Sequence, residues 1–187
     1  MNFLKDEDFI RGNCPMTKEE IRILSLAKLQ LESNFRVIDI GAGTGSVSIE
    51  IARRCSSGEV IAVEREEEAL QTLVKNKEKF KIGNLYVIEG EALRVEESII
   101  GEFDAVFIGG SGGNIQEIIK AYSRRLKSNC NMVLNFITIS NLYRALETLK
   151  ELEYEVECTQ IGVSKTRGDS FMLFSNNPIF IVTGRKK

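Results

Sequence analysis

The stretch VIDIGAGTGSVSIEIA, residues 37–52, runs from a strand-like segment through Gly41, Gly43 and Gly45 into a helix-like one. A strand that turns tightly through glycines into a helix is how a nucleotide-type cofactor site begins. The turn brings backbone N–H groups and a helix N-terminus to one ligand.

Outward from this turn the pattern alternates. Strand-like runs occupy 36–41, 59–64, 85–90, 103–110 and 131–138, and helical runs occupy 45–55, 66–80, 114–127 and 140–152. Near-continuous apolar strands alternating with helices predict a parallel sheet covered on both faces. The end of the chain differs: 154–166 and 178–187 read as two strands with no helix between them, joined by a loop over 167–176. That predicts an antiparallel hairpin at one sheet edge. The expected fold is therefore α/β, a doubly wound, Rossmann-like, mostly parallel seven-stranded sheet with a C-terminal antiparallel hairpin. Residues 18–31 read as an amphipathic helix, with Thr17 and Glu20 spaced as a capping box. One domain over 1–187 is expected, with 1–34 a helical segment packing on it.

Composition narrows the chemistry. The 187 residues are 43% hydrophobic and 28% charged, with a net charge of -2, which argues against nucleic acid as the main partner. Residues 1–18 hold no apolar core of a signal peptide, and no apolar run reaches membrane-spanning length. Cys14, Cys55, Cys130 and Cys158 form no C-x-x-C pair and read as reduced, buried thiols in a cytoplasm. There is no histidine, which removes the commonest general base and most catalytic zinc sites. No metal site is expected.

The glycine stretch lacks the third glycine of a dinucleotide fingerprint, because Ser46 stands there, and no P-loop lysine follows. A tight turn without ligand is the plain alternative. Its surroundings favour a ligand of a particular charge. Asp39 precedes the turn, Glu64 ends the second strand 25 residues later, and Glu91 with Ala92 follow the third. An acid at Glu64 suits a ribose diol. Three successive strands ending in acids disfavour a pyrophosphate and favour a cationic amino-acid end with a ribose.

This arrangement resembles the class I S-adenosyl-L-methionine-dependent methyltransferases. The resemblance implies that Gly41, Ala42, Gly43, Thr44 and Gly45 form the loop at the methionine part. It implies that Glu64 holds the ribose and that Glu91 and Ala92 meet adenine. Aspartate is commoner in that family at the position of Glu91, so the backbone of Ala92 is the firmer contact. At the end of the fourth strand, FDAVFIGGSGG (103–113) lacks the proline–aromatic motif of DNA amine methyltransferases and the cysteine of cytosine-C5 enzymes. Its glycines leave a backbone floor for a large flat substrate, unless they are only a turn before a helix.

PMTKEEIR (15–22), the glycine stretch, FIGGSGG (107–113) and the C-terminal hairpin together resemble the decarboxylating cobalt-precorrin C15-methyltransferases of cobalamin synthesis, the CbiT family. That resemblance adds Thr17 to the cofactor site. It implies methylation of a corrinoid at C15 with loss of CO2 from the C12 acetate, a homotetramer, and a separate C5-methyltransferase as functional partner. The sulfonium is an activated donor and the conjugated ring can take up the electrons left by CO2, so no strong protein base is required. No catalytic residue is assigned.

A carboxylate-bearing substrate calls for local cations, and Arg11, Lys18, Lys165 and Arg167 are candidates, Arg167 foremost. Gly110 and Ser111 are further substrate candidates, and Asp104 reads as structural. The apolar run SFMLF (170–174) reads as an interface or a lid. Rival functions are a tRNA adenine-N1 methyltransferase, a protein isoaspartyl methyltransferase, and a non-catalytic protein that binds an adenosyl ligand.

Overall fold

The computed structural model describes residues 2–187, with the Arg167 side chain outside the described residues. The strands β1 (Arg36–Ile40), β2 (Glu59–Glu64), β3 (Leu85–Glu89), β4 (Phe103–Ile108) and β5 (Leu126–Phe136) run parallel. With β6 (Glu155–Ile161) and β9 (Ile179–Arg185) they make one seven-stranded sheet in the order β3-β2-β1-β4-β5-β9-β6. β9 lies antiparallel to both neighbours. The doubly wound sheet with its antiparallel edge is as expected.

Both faces are covered because the strands carry apolar residues on both sides. Ile38, Ile40, Val106 and Ile108 pack towards α4 (Ala92–Glu96), α5 (Ile115–Arg125) and α6 (Ile139–Glu151). Val37, Val60, Ala105 and Phe107 pack on the other side, towards α1 (Glu19–Leu29), α2 (Ser46–Arg54) and α3 (Glu67–Lys79). Burying such a side chain contributes roughly 1.5–3 kcal/mol, so this two-sided core is what holds the sheet in place.

Several boundaries differ from expectation for identifiable reasons. β5 begins at Leu126, not 131, and its first residues are mostly exposed and polar, which hides the strand from hydrophobic pattern. The 154–166 run breaks after Ile161, and β7 (Ser164–Arg167) pairs instead with β8 (Met172–Ser175) in a separate two-stranded unit. Residues 172–175 are thus a strand rather than loop. Thr17 does not cap α1: Lys18 holds that position without a side-chain hydrogen bond. The Thr17 carbonyl accepts from Arg22, and the Glu20 carboxylate is taken by Lys165. Of the cysteines, Cys55 is buried, Cys14 and Cys130 are partly so and Cys158 is exposed on β6, so "buried" holds for one only.

Among the described residues the segment before α1 carries no strand, and buried polar side chains hold it down. Arg22 is fully buried. It donates to the carbonyls of Thr17 (2.7 Å) and Leu4 (2.6 Å) and to Asp6 (3.2 Å), and lies over the Phe9 ring. Asn76 on α3 donates to the Ile10 carbonyl, accepts the Ile10 N–H, and also donates to the Thr44 carbonyl. Arg22→Met keeps the bulk but orphans two carbonyls and an acid. It is expected to destabilise the protein by about 3 kcal/mol, read from the midpoint and slope of urea unfolding.

Candidate functional site

The strand order reverses between β1 and β4, and ligands of doubly wound sheets bind beyond the carboxyl ends of the strands at that point. Here two glycine loops meet. Gly41 has φ +70°, and a Cβ on it would stand 2.7 to 2.8 Å from the backbone of Gly110. A cavity of about 630 Å³ opens above them, a size suited to a small molecule.

Most of the expected residues come together there. Gly41, Ala42, Gly43 and Thr44 line the cavity from β1, Glu64 from β2, and Glu91 with Ala92 from the end of β3. Gly110 and Ser111 line it from the loop after β4, and Thr17 and Lys18 from the segment before α1. Gly45 does not line it. It precedes α2 with φ +76°, and a Cβ there would meet Leu73 Cγ at 2.8 Å, so its need for glycine comes from packing. Arg11 is exposed and not part of the wall, and Lys165 is engaged by Glu20 at 2.5 Å. Arg167 ends β7, and its side chain lies outside the described residues. Asp104 sits at the opposite end of β4, accepting from the Arg36 N–H and from Lys127, a structural place as expected.

Each acid has a defined setting. Glu64 accepts from the Gly43 N–H (2.7 Å) with one oxygen and from the Arg65 and Glu66 N–H groups (2.8 and 3.0 Å) with the other. It therefore fixes the glycine loop to the end of β2. One oxygen of Glu91 accepts from Leu93 and Arg94 N–H groups and caps α4, an element too short to show in sequence periodicity. Asp39 is fully buried. One of its oxygens accepts from Ser48 and the other, Oδ1, has no hydrogen-bond partner among the described residues. Burial raises its pKa to about 7. The Ser48 hydrogen bond opposes that rise and the nearby Glu64 charge adds to it. Thr44 Oγ1 is a second buried, unpartnered atom in the same wall.

Sequence reading missed two parts of the wall. Asn13, Cys14, Pro15 and Met16 form one side, although only Met16 among them is buried enough to count as core. Arg65 also lines the cavity, and its guanidinium lies where a Cβ on Gly112 would be, 2.8 Å from Nη1. The adjacent Glu64 was visible as a strand-ending acid, but nothing in a lone arginine after it marks a wall residue. Five carboxylates, Asp39, Glu64, Glu66, Glu68 and Glu91, face two cations, Lys18 and Arg65, in this cavity. Such a field favours a cationic ligand over a polyphosphate.

A family model described as precorrin methyltransferase domain matches residues 8–183. The chain belongs to the precorrin methyltransferase family. It is 43% identical over 188 residues to a probable cobalt-precorrin-6B C(15)-methyltransferase (decarboxylating) of Sulfolobus acidocaldarius, covering 98% of this chain and 97% of that one. It is 40% identical to the cobalt-precorrin-6B C(15)-methyltransferase (decarboxylating) of Salmonella typhimurium, over 98% and 96% of the two chains. Among solved structures it is similar to a precorrin-6Y C5,15-methyltransferase from Geobacter metallireducens, with TM-score 0.94 and 38% identity, covering 99% of this chain and 96% of that one. Among the described residues no helix is long and apolar enough to cross a membrane.

The Asp39 setting has a measurable consequence. Its folded pKa is raised, so the native state binds a proton that the unfolded chain releases near pH 4. The stability it contributes is complete below about pH 4 and is lost as pH rises through about 7. Asp39→Asn should remove that slope, so that the wild-type protein loses roughly 2–4 kcal/mol relative to the variant between pH 4 and 8. Denaturant unfolding of both proteins across this range checks it.

Proposed function

We propose that this chain is an S-adenosyl-L-methionine-dependent C-methyltransferase that methylates a cobalt-precorrin at C15 and removes CO2 from its C12 acetate, in anaerobic cobalamin synthesis. The observation that carries the cofactor half is the orphaned, fully buried Asp39 Oδ1 in an acid-lined cavity at the switch point. Membership of the precorrin methyltransferase family along nearly the whole chain supports the substrate half.

The residues present fit S-adenosylmethionine. When bound, it supplies a methyl group already activated by a sulfonium. Asp39 and Thr44 offer acceptors to its ammonium end, and the positive-φ turn at Gly41 and Gly43 lets the backbone approach without side chains. Glu64 offers carboxylate oxygens to the ribose diol while holding the loop, and Glu91 and the Ala92 backbone stand at the adenine end. Thr17, drawn in by Arg22 through its carbonyl, closes the side towards the N-terminus. Held in this way, the donor is aligned by many weak contacts rather than by an acid or base.

The same reading makes 1–187 one methyltransferase unit, cytoplasmic, with a separate C5-methyltransferase as functional partner. It makes the working form a homotetramer. The exposed Phe171, Met172 and Leu173 on and beside β8 support assembly through this hairpin.

Mass spectrometry of the protein incubated with S-adenosylmethionine and late cobalt-precorrins tests the reading. A product with one methyl gained and one CO2 lost is expected. A methyl gain alone would assign decarboxylation elsewhere, and no methyl gain would overturn the reading. Glu64→Gln should weaken S-adenosylmethionine by about 1–3 kcal/mol in titration calorimetry, and unchanged affinity would remove Glu64 from the ribose role.

A further inference from the structure

A second cleft, of about 320 Å³, lies beyond the glycine loop. It shares Gly109 to Gly112, Asn135 and Ile137 with the cofactor cavity. The two spaces therefore adjoin along this loop, and a group in one stands beside a group in the other. Ile137 lines both and is 76% exposed, which leaves an apolar side chain at their common mouth.

Among the described residues, which leave out the Arg167 side chain, the lining of this cleft contains no Lys, Arg, Asp or Glu. That is unexpected for a protein acting on a substrate with several carboxylates, which led to the expectation of cations at the site. In their place stand Ser111, Thr138 and Asn141. None of these side chains has a hydrogen bond in the structure among the described residues, Thr138 included, although it directly precedes α6. These three neutral side chains line the cleft together with Gly113, where a Cβ would have nothing within 4 Å.

Neutral lining has a chemical meaning for a carboxylate that must leave as CO2. In that step the bond from the acetate methylene to the carboxylate carbon breaks. Its electron pair moves onto the methylene carbon and into the conjugated ring, CO2 departs, and a proton from water completes the methyl group. Negative charge thus leaves the carboxylate oxygens as the transition state forms. An arginine clamp would stabilise the starting carboxylate more than the transition state and slow the reaction. Neutral hydrogen bonds hold the group with less of that differential cost, since bonds to charged partners are about twice as strong.

Resting on the function proposed above, we infer that the uncharged cleft of Gly109–Gly113, Ser111, Thr138 and Asn141 is the pocket that holds the acetate destined for decarboxylation. The cofactor cavity next to it then serves the neighbouring ring carbon. Other carboxylates of the macrocycle remain for cations elsewhere, Arg65 at the cavity wall among them.

The test adds a cation to this cleft. Asn141→Lys and Thr138→Lys are rim changes, Thr138 being exposed and Asn141 partly so. CO2 release and methyl transfer are followed with cobalt-precorrin substrate, together with S-adenosylmethionine affinity as a check on the fold. Both variants are expected to release CO2 at least ten-fold more slowly at saturation, with an unchanged or lower corrinoid KM and cofactor affinity retained. A lower KM beside a lower rate is the signature of a stabilised ground state, which a merely structural fault does not produce. CO2 release at the wild-type rate in both variants overturns the assignment, as does a raised KM with the saturated rate unaltered. Wild-type protein that transfers methyl without releasing CO2 overturns the pocket and leaves the methyltransferase reading. Wild-type protein that does neither overturns both.

Discussion

The close approach of Gly41 to Gly110 is the contact on which the rest of the site depends. A single Cβ at Gly41 would stand within 2.8 Å of the Gly110 backbone, and backbone cannot step aside as a flexible side chain can. With hydrogen alone at both positions, the loops after β1 and β4 meet at the strand-order reversal. The larger cavity and the smaller cleft beside it both take part of their lining from the loop that meets Gly41. The glycines therefore serve the packing of the two loops, and the cavity opens directly above the place where they meet.

Around this contact the polar groups divide by purpose. Glu64 spends its carboxylate on three backbone N–H groups and so gives the glycine loop a fixed geometry. Arg22 and Asn76 do comparable work for the chain before α1, which has no ladder to hold it. Asp39 is the exception. A buried carboxylate with one oxygen unpartnered costs free energy, and the protein tolerates that cost where a cation can meet it. Burial raises its pKa, and Oδ1 stands without a partner among the described residues, in the wall of the cavity.

The parts of this legible in sequence were those with a strong pattern. β1, β2 and α2 around the glycine stretch are apolar on both faces or strictly periodic, and their boundaries fall within a residue or two of expectation. Glu64 and Glu91 were visible as acids ending strands, because position along a parallel strand fixes which end faces the ligand. The antiparallel pairing of β6 with β9 was legible from two strands with no helix between them, whereas the β7–β8 pair was not. Gly162 breaks the first run, and β7 and β8 pair with each other away from the main sheet, which depends on partners far along the chain. The wall from Asn13 to Met16 was not legible: the motif that begins at Pro15 pointed to Thr17 alone, and Asn13 and Cys14 lie outside it. It takes its place from buried tethers that no local periodicity records. Arg65, exposed and next to an acid, resembles any surface arginine until the fold sets it against Gly112.

The same contrast between pattern and placement bears on the cations: of those offered by the sequence, Lys18 lines the cavity, Arg11 and Lys165 do not, and the Arg167 side chain lies outside the described residues. A substrate rich in carboxylates suggests an arginine-lined site, and charge composition offers nothing against it. The fold puts five carboxylates around the larger cavity and, among the described residues, no charged group in the lining of the adjoining cleft. Those settings suit opposite ends of one chemistry: a cationic donor is held by carboxylates, while a carboxylate that must lose its charge is held by groups that do not bind the charge too well. A clamp chosen for affinity would act on the ground state alone. The absence of histidine agrees with this arrangement, because a reaction whose charge flows from an acetate into a conjugated ring asks the protein for position and for restraint in electrostatics, not for a base.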